Sequence, residues 1–164
     1  MKHTISILVE NHAGVLSRIS GLFSRRGFNI DSLAVGVTDE PTISRVTIVA
    51  DGNDYTIEQL EKQLNKLIDV IIVKTLTPEE LISRELLLVK INAPADKRSE
   101  IMTIVEITGA KIIDITTTTV TLEISDRVEK LVNLEALIKP YGIKEMVRTG
   151  TIAIQRGAEA IKTK

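Results

Sequence analysis

The residues best suited to chemistry in this chain stand on either side of one helix pattern near the N-terminus. Asn11-His12-Ala13-Gly14 precedes it and Gly27-Phe28-Asn29-Ile30 follows it. A helix N-terminus presents unpaired backbone N–H groups and the positive end of the helix dipole, so an anionic group such as a carboxylate can dock there. Gly14 lets a ligand approach the backbone, and the Asn11 amide can donate to a carboxylate and accept from an ammonium. Asn29, at the far end of the helix, is no obvious neighbour of Asn11 within one chain, but could reach such a site from a symmetry-related copy. The same residues also serve as plain punctuation: Asn11 as a helix cap, Gly14 as its start, Asn29 as a turn residue after the Gly27 stop. Spacing alone favours that second reading.

Other chemistry is poorly provided for. With no Cys there is no disulfide framework, thiolate metal site or thiol nucleophile, and with only two histidines, His3 and His12, a histidine-rich metal site is not expected. Both histidines read as solvent-exposed rather than ligating. Arg25-Arg26 reads as a solvated helix end, and the Thr116 to Thr119 run as strand and turn. The carboxylates of Asp31, Asp51 and Asp114 are scattered, without a paired acid, His or nucleophile nearby in sequence, so no catalytic constellation is expected. Lys and Arg number 21 against 22 Asp and Glu, a net charge of −1. With no basic field, and with Phe23, Phe28, Tyr55 and Tyr141 too dispersed to stack bases, nucleic-acid binding is not expected.

The elements that must position these residues follow from hydropathy period. Ile, Val and Thr number 24, 14 and 17, so 55 of 164 residues are β-branched, which favours sheets packed in aliphatic layers. Thr4 to Val9 alternates with period two, as a strand does. Val15, Leu16, Ile19, Leu22 and Phe23 then follow helical spacing up to Gly27. Asn29 to Thr38 and Ile43 to Ala50 read as a hairpin joined through Pro41. Ile57, Leu60, Leu64, Leu67 and Ile68 mark a second helix, and Val70 to Val73 a short strand. After Thr77-Pro78-Glu79-Glu80 the order repeats. Glu85 to Ala93 is a strand, and Pro94 to Thr108 a helix with Ile101, Ile104 and Val105 inward. Lys111 to Thr116 and Thr119 to Ile124 are paired strands. Val128, Leu131, Val132 and Ile138 mark a helix, and Ile143 to Ile154 returns to strand with a turn at Gly150.

Two consecutive βαββαβ units predict an α+β chain of two ferredoxin-like domains, 1–78 and 79–164, each an antiparallel sheet with two helices on one face. A sheet covered on one face leaves the other face or an edge free, so self-association is expected. The second half repeats the plan without the glycine at the helix entry: Asn92-Ala93-Pro94-Ala95-Asp96 reads as ordinary helix-starting chemistry. The halves are therefore expected to divide labour, ligand sensing in the first and docking or stability in the second. No uncharged apolar stretch approaches the roughly 18 residues that cross a bilayer, and a cytoplasmic, soluble protein is expected.

The strings Ile5-Ser6-Ile7-Leu8-Val9-Glu10-Asn11, Gly14-Val15-Leu16-Ser17-Arg18, Gly21-Leu22-Phe23-Ser24-Arg25-Arg26-Gly27-Phe28-Asn29-Ile30-Asp31-Ser32-Leu33 and Ser44-Arg45 closely resemble the regulatory small subunits of acetohydroxyacid synthase (acetolactate synthase), whose N-terminal half is an ACT domain. The resemblance continues through Glu85 to Ile91 and Gly109 to Asp114. It implies a non-catalytic regulatory subunit that binds the catalytic large subunit, raises its activity and makes it sensitive to feedback inhibition by a branched-chain amino acid, usually valine.

It also implies a homodimer with the effector between two ACT domains. Asn11 and Gly14 of one chain and Asn29 of the other match the family's binding positions, and Val15 and Ile30 are the aliphatic neighbours that receive the effector side chain. Thiamine diphosphate, FAD and magnesium would belong to the catalytic subunit and none to this chain. The competing reading is an ACT-domain amino-acid sensor with a different effector or client enzyme.

Overall fold

The computed structural model describes residues 1–163. The chain forms two compact units, one of Met1–Ile82 with the described residues from Thr151 onward, the other of Ser83–Gly150. This differs from the expected division at 78/79, because the last segment packs with the first unit rather than the second. Among the described residues no helix is long and apolar enough to cross a membrane.

The first unit runs β1 (Lys2–Glu10), α1 (Val15–Arg25), β2 (Ile30–Val37), β3 (Ile43–Asp51), α2 (Asp54–Leu64) and β4 (Val70–Leu76), with β9 (Ile152–Gln155) returning to it. The sheet order is β2-β3-β1-β4. Register places Ile5 opposite Ile48 and Ile7 opposite Val46, so alternate β-branched residues of the two central strands share one face. Onto that face α1 sets Val15, Ile19, Leu22 and Phe23, and α2 sets Ile57, Leu60 and Leu64, closing a buried aliphatic core.

α2 is shorter than its apolar pattern. It starts at Asn53, whose side chain accepts from the Thr56 N–H at 2.8 Å, and ends at Leu64. The turn that follows returns Leu67 to the core but leaves Ile68 90% exposed, so Ile68 is not part of the buried face.

The opposite face of this sheet is not bare. Leu8 and Leu76 are buried there against Ala153 and Ile161. The segment is tied down at three points: the Thr151 N–H donates to Ser32 Oγ at 2.7 Å, Arg45 Nη2 to the Ile161 carbonyl at 2.8 Å, and the Arg156 N–H to the Glu80 carbonyl at 2.6 Å. A face expected to be free is thus partly covered by the chain's own C-terminal segment.

The second unit takes up β5 (Leu81–Asn92) from Ser83 and continues through α3 (Arg98–Thr108), β6 (Lys111–Ile115), β7 (Thr119–Asp126), α4 (Val128–Ile138), a 3₁₀ turn (Lys139–Tyr141) and β8 (Ile143–Arg148). Its four strands lie in the order β6-β7-β5-β8, the same arrangement as in the first unit, and β9 adds a fifth strand to this sheet by pairing with β5. Leu87, Val89 and Ile91 pair with Ile124, Leu122 and Val120 and pack under Ile101, Leu131, Leu134 and Ile138. Val132, expected on the inner stripe of α4, faces outward; Leu134 takes that role at i+3 from Leu131. α3 begins four residues later than expected, because Pro94 to Lys97 closes a turn through the Lys97 N–H and the Pro94 carbonyl before the helix starts. The βαββαβ order holds in both halves.

Candidate functional site

The register of β1 against β4 shifts between Leu8 and Val9, turning the end of β1 toward the residue that precedes β4. There the Glu10 N–H donates to the Asp69 carbonyl at 2.9 Å. The Asn11 N–H donates to the Thr42 carbonyl at 2.8 Å, and Asn11 Nδ2 to the Pro41 carbonyl at 2.9 Å. Asn11 therefore fastens the β1–α1 loop to the β2–β3 turn and does not cap α1. The cap position belongs to Gly14, at φ +89° and ψ −13°, and no side chain there bonds the first turn. Only glycine takes this backbone conformation without cost. The positive end of α1 is left without a side-chain acceptor.

Arg18 arches back over this entrance. A Cβ built on Gly14 would sit 3.7 Å from both terminal guanidinium nitrogens of Arg18, an ordinary contact. Arg18 Nη1 also donates to Asp69 Oδ2 at 2.9 Å, and the Asp69 side chain is only 7% exposed. His12 Nε2 lies 2.9 Å from Asp69 Oδ1 and 3.1 Å from Glu10 Oε2. The Ala13 carbonyl, and after it the Glu10 carboxylate, favour a proton on His12 and raise its pKa above the ordinary histidine value. Sequence spacing had placed His12 in no constellation. Asp69 comes from a residue just before a buried strand, where an aspartate reads as a turn former, so only the fold brings the two together.

Of the remaining candidates, Val15 opens α1 beside Gly14, while Asn29 and Ile30 lie beyond its far end in this chain. α1 has 11 residues, about 16 Å of rise, between the Gly14 entrance and the Gly27 turn. Asn29 is exposed beyond that turn, with its Nδ2 donating to Asp31 Oδ1 at 2.8 Å. Val15 is 4% exposed and Ile30 half-buried, both packed in the core of the first unit. Ile30 opens β2, one of the two edge strands of the sheet, and Asn29 immediately precedes it.

The second unit has a corresponding corner built from different residues. The register of β5 against β8 shifts between Lys90 and Ile91, the Asn92 N–H donates to the Gly142 carbonyl, and the Ala93 N–H donates to the Thr118 carbonyl. Ala93 thus stands where the first unit has Asn11, and Gly142 where it has Asp69. The Arg98 guanidinium fills the corner, Nε donating to the Ala93 carbonyl at 3.2 Å and Nη2 to the Thr116 carbonyl. There the arginine donates to two backbone carbonyls, whereas Arg18 in the first unit pairs with the Asp69 carboxylate.

Comparison with known proteins adds independent findings. Residues 5–72 match the family described as an AHAS small subunit-like ACT domain, and residues 84–157 match the small subunit of acetolactate synthase. A probable acetolactate synthase small subunit of Archaeoglobus fulgidus is 48% identical over 96% of this chain and 98% of its own length. An acetolactate synthase small subunit of Mycolicibacterium smegmatis is 46% identical over 97% and 94%. Among solved structures, an acetolactate synthase small subunit of Thermotoga maritima superposes with a TM-score of 0.90 at 38% identity, covering 97% of this chain and 99% of that one.

Proposed function

Because this chain belongs to the family of acetolactate synthase small subunits, a regulatory family built on an ACT domain, we propose that it activates the catalytic subunit and confers feedback inhibition by valine. It carries no catalytic role on this reading; thiamine diphosphate, FAD and magnesium belong to the catalytic subunit, and the complex acts in the cytoplasm.

The observation that carries the reading is the uncapped N-terminus of α1, entered through a left-handed Gly14 and flanked by the Asn11 amide. The effector carboxylate meets the first-turn N–H groups, including that of Val15, whose side chain stays in the core. Asn29 of a second copy supplies the amide that orients the ammonium, and Ile30 borders the pocket for the aliphatic side chain. The outer position of β2, with Val35 and Val37 exposed along it, supports this homodimer, since an edge strand offers unpaired N–H and C=O groups to a twofold mate. Valine and isoleucine differ by one methylene, about 1 to 3 kcal/mol in an apolar pocket, so the assignment of valine rests on the family.

For inhibition, valine must favour one arrangement of the dimer that the catalytic subunit distinguishes from another, a coupling of about 1 to 3 kcal/mol. Calorimetric titration of the purified chain with valine, with leucine, isoleucine and a charged amino acid as comparisons, tests the site. Saturable valine binding that weakens in Asn11→Ala and Asn29→Ala is expected. Equal binding in both variants would move the effector elsewhere.

A further inference from the structure

Beside the α1 entrance lies a side-chain group for which the effector reading has no use. His12 Nδ1 is 3.2 Å from the Ala13 carbonyl oxygen. That oxygen can only accept, so Nδ1 carries the hydrogen. In the neutral ring this leaves the lone pair on Nε2, which faces Asp69 Oδ1 at 2.9 Å and Glu10 Oε2 at 3.1 Å. Three acceptor atoms, all within 4.8 Å of one another, thus converge on one point. A cation, either a proton on Nε2 or a metal ion, satisfies all three acceptors at once.

The surroundings favour the metal ion as a resident. The bond from Nδ1 to a backbone carbonyl is the outer interaction that fixes the tautomer and ring direction of a ligating imidazole. Asp69 is fixed likewise, nearly buried, with Arg18 on the oxygen that does not face His12. Tetrahedral ligands about 2.1 Å from a zinc ion stand about 3.4 Å apart, so Nε2, 2.9 Å from Asp69 Oδ1 and 3.1 Å from Glu10 Oε2, needs to open by only a few tenths of an ångström to admit one. With Arg18 paired to Asp69, the two carboxylates keep a net negative charge that favours a cation beside them.

We propose that Glu10, His12 and Asp69 bind one divalent first-row transition-metal ion of the zinc or cobalt class, with water in the remaining positions. The imidazole selects these ions over magnesium and calcium, which prefer all-oxygen sets. Spacing could not reveal the site, because its most buried ligand comes 57 residues after His12.

The test uses the full chain without an affinity tag, titrated calorimetrically with Zn²⁺ and followed by d–d absorption with Co²⁺. Saturation near one ion per chain is expected. Affinity should fall by at least about tenfold in both His12→Ala and Glu10→Gln. These side chains are about half exposed and lie outside the core, so the variants should melt close to the parent. His3→Ala, which removes the other histidine, should bind as the parent does. Absence of saturable binding, binding that survives His12→Ala, or binding lost in His3→Ala would each overturn the proposal and leave the proton on Nε2 as the cation that holds the three acceptors.

Discussion

Gly14→Asp abolishes valine binding while the chain stays folded: that is the first expected result. At φ +89° any L-residue is strained, by roughly 1 to 2 kcal/mol, so the melting temperature should fall by several degrees. The new Cβ meets only the Arg18 guanidinium, at 3.7 Å, and packing is otherwise undisturbed. The carboxylate it carries draws Arg18 toward itself and stands where the effector's carboxylate would dock, competing for the same N–H groups and repelling the ligand. A loss of affinity well beyond tenfold, more than about 1.4 kcal/mol, is expected by calorimetry. Gly14→Ala separates the causes, since it brings the backbone strain without the charge and should bind valine more weakly than the parent but measurably. Undiminished affinity in a folded Gly14→Asp chain would remove Gly14 from the site.

The second large effect is on stability. Phe23 is 1% exposed, stands among the largest fully buried side chains, and meets Phe28 edge to face with ring centroids 6.3 Å apart. The Phe28 N–H also donates to the Phe23 carbonyl at 3.0 Å, so this ring seats both the end of α1 and the turn that leads to Asn29. Phe23→Ala should cost about 3 to 5 kcal/mol from lost burial and the cavity left behind. Against a total of about 5 to 15 kcal/mol for an ordinary domain, that is a large share. The denaturation midpoint should shift strongly, and valine affinity should fall because one border of the site loses its seat. Ile107→Ala, at a residue 78% exposed on α3, should change stability by no more than about 0.5 kcal/mol. Comparable losses from the two substitutions would contradict the placement of the core.

The contrast between Phe23 and Ile107 also shows where sequence is a good guide and where it is not. Alternation of β-branched residues identified the strands, because a half-buried strand imposes period two on its own local sequence. Helix ends were less legible. The apolar period of α2 continues into Leu67 and Ile68, yet Leu67 reaches the core from a turn and Ile68 reaches nothing. In α4 the stripe passes through Leu134 rather than Val132, a choice made by the sheet beneath it rather than by the helix.

The last strand was the largest departure. Ile152, Ala153 and Ile154 alternate as a strand should, but no local signal says which sheet claims them. Its strand partner is β5, while Ser32, bonded by the Thr151 N–H, and Arg45, bonded to the Ile161 carbonyl, hold the residues on either side of it from more than a hundred residues away.

At the site, Asn11 and Gly14 were legible because a strand-to-helix turn restricts both residue types. The structure nevertheless reassigns Asn11 from capping the helix to tethering the loop to the Pro41 carbonyl. Arg18 and Asp69 were not legible. A helix arginine and a pre-strand aspartate are common everywhere, and their meeting over Gly14 depends on long-range register.

The account's central claim is regulatory, and the rate of acetolactate formation by the cognate catalytic subunit tests it most directly, measured with and without this chain and with and without valine. The account predicts that the chain raises the rate, that valine lowers the raised rate, and that Gly14→Asp preserves activation while removing the response to valine. A rate that the chain leaves unchanged, or that it raises equally with and without valine, would contradict it.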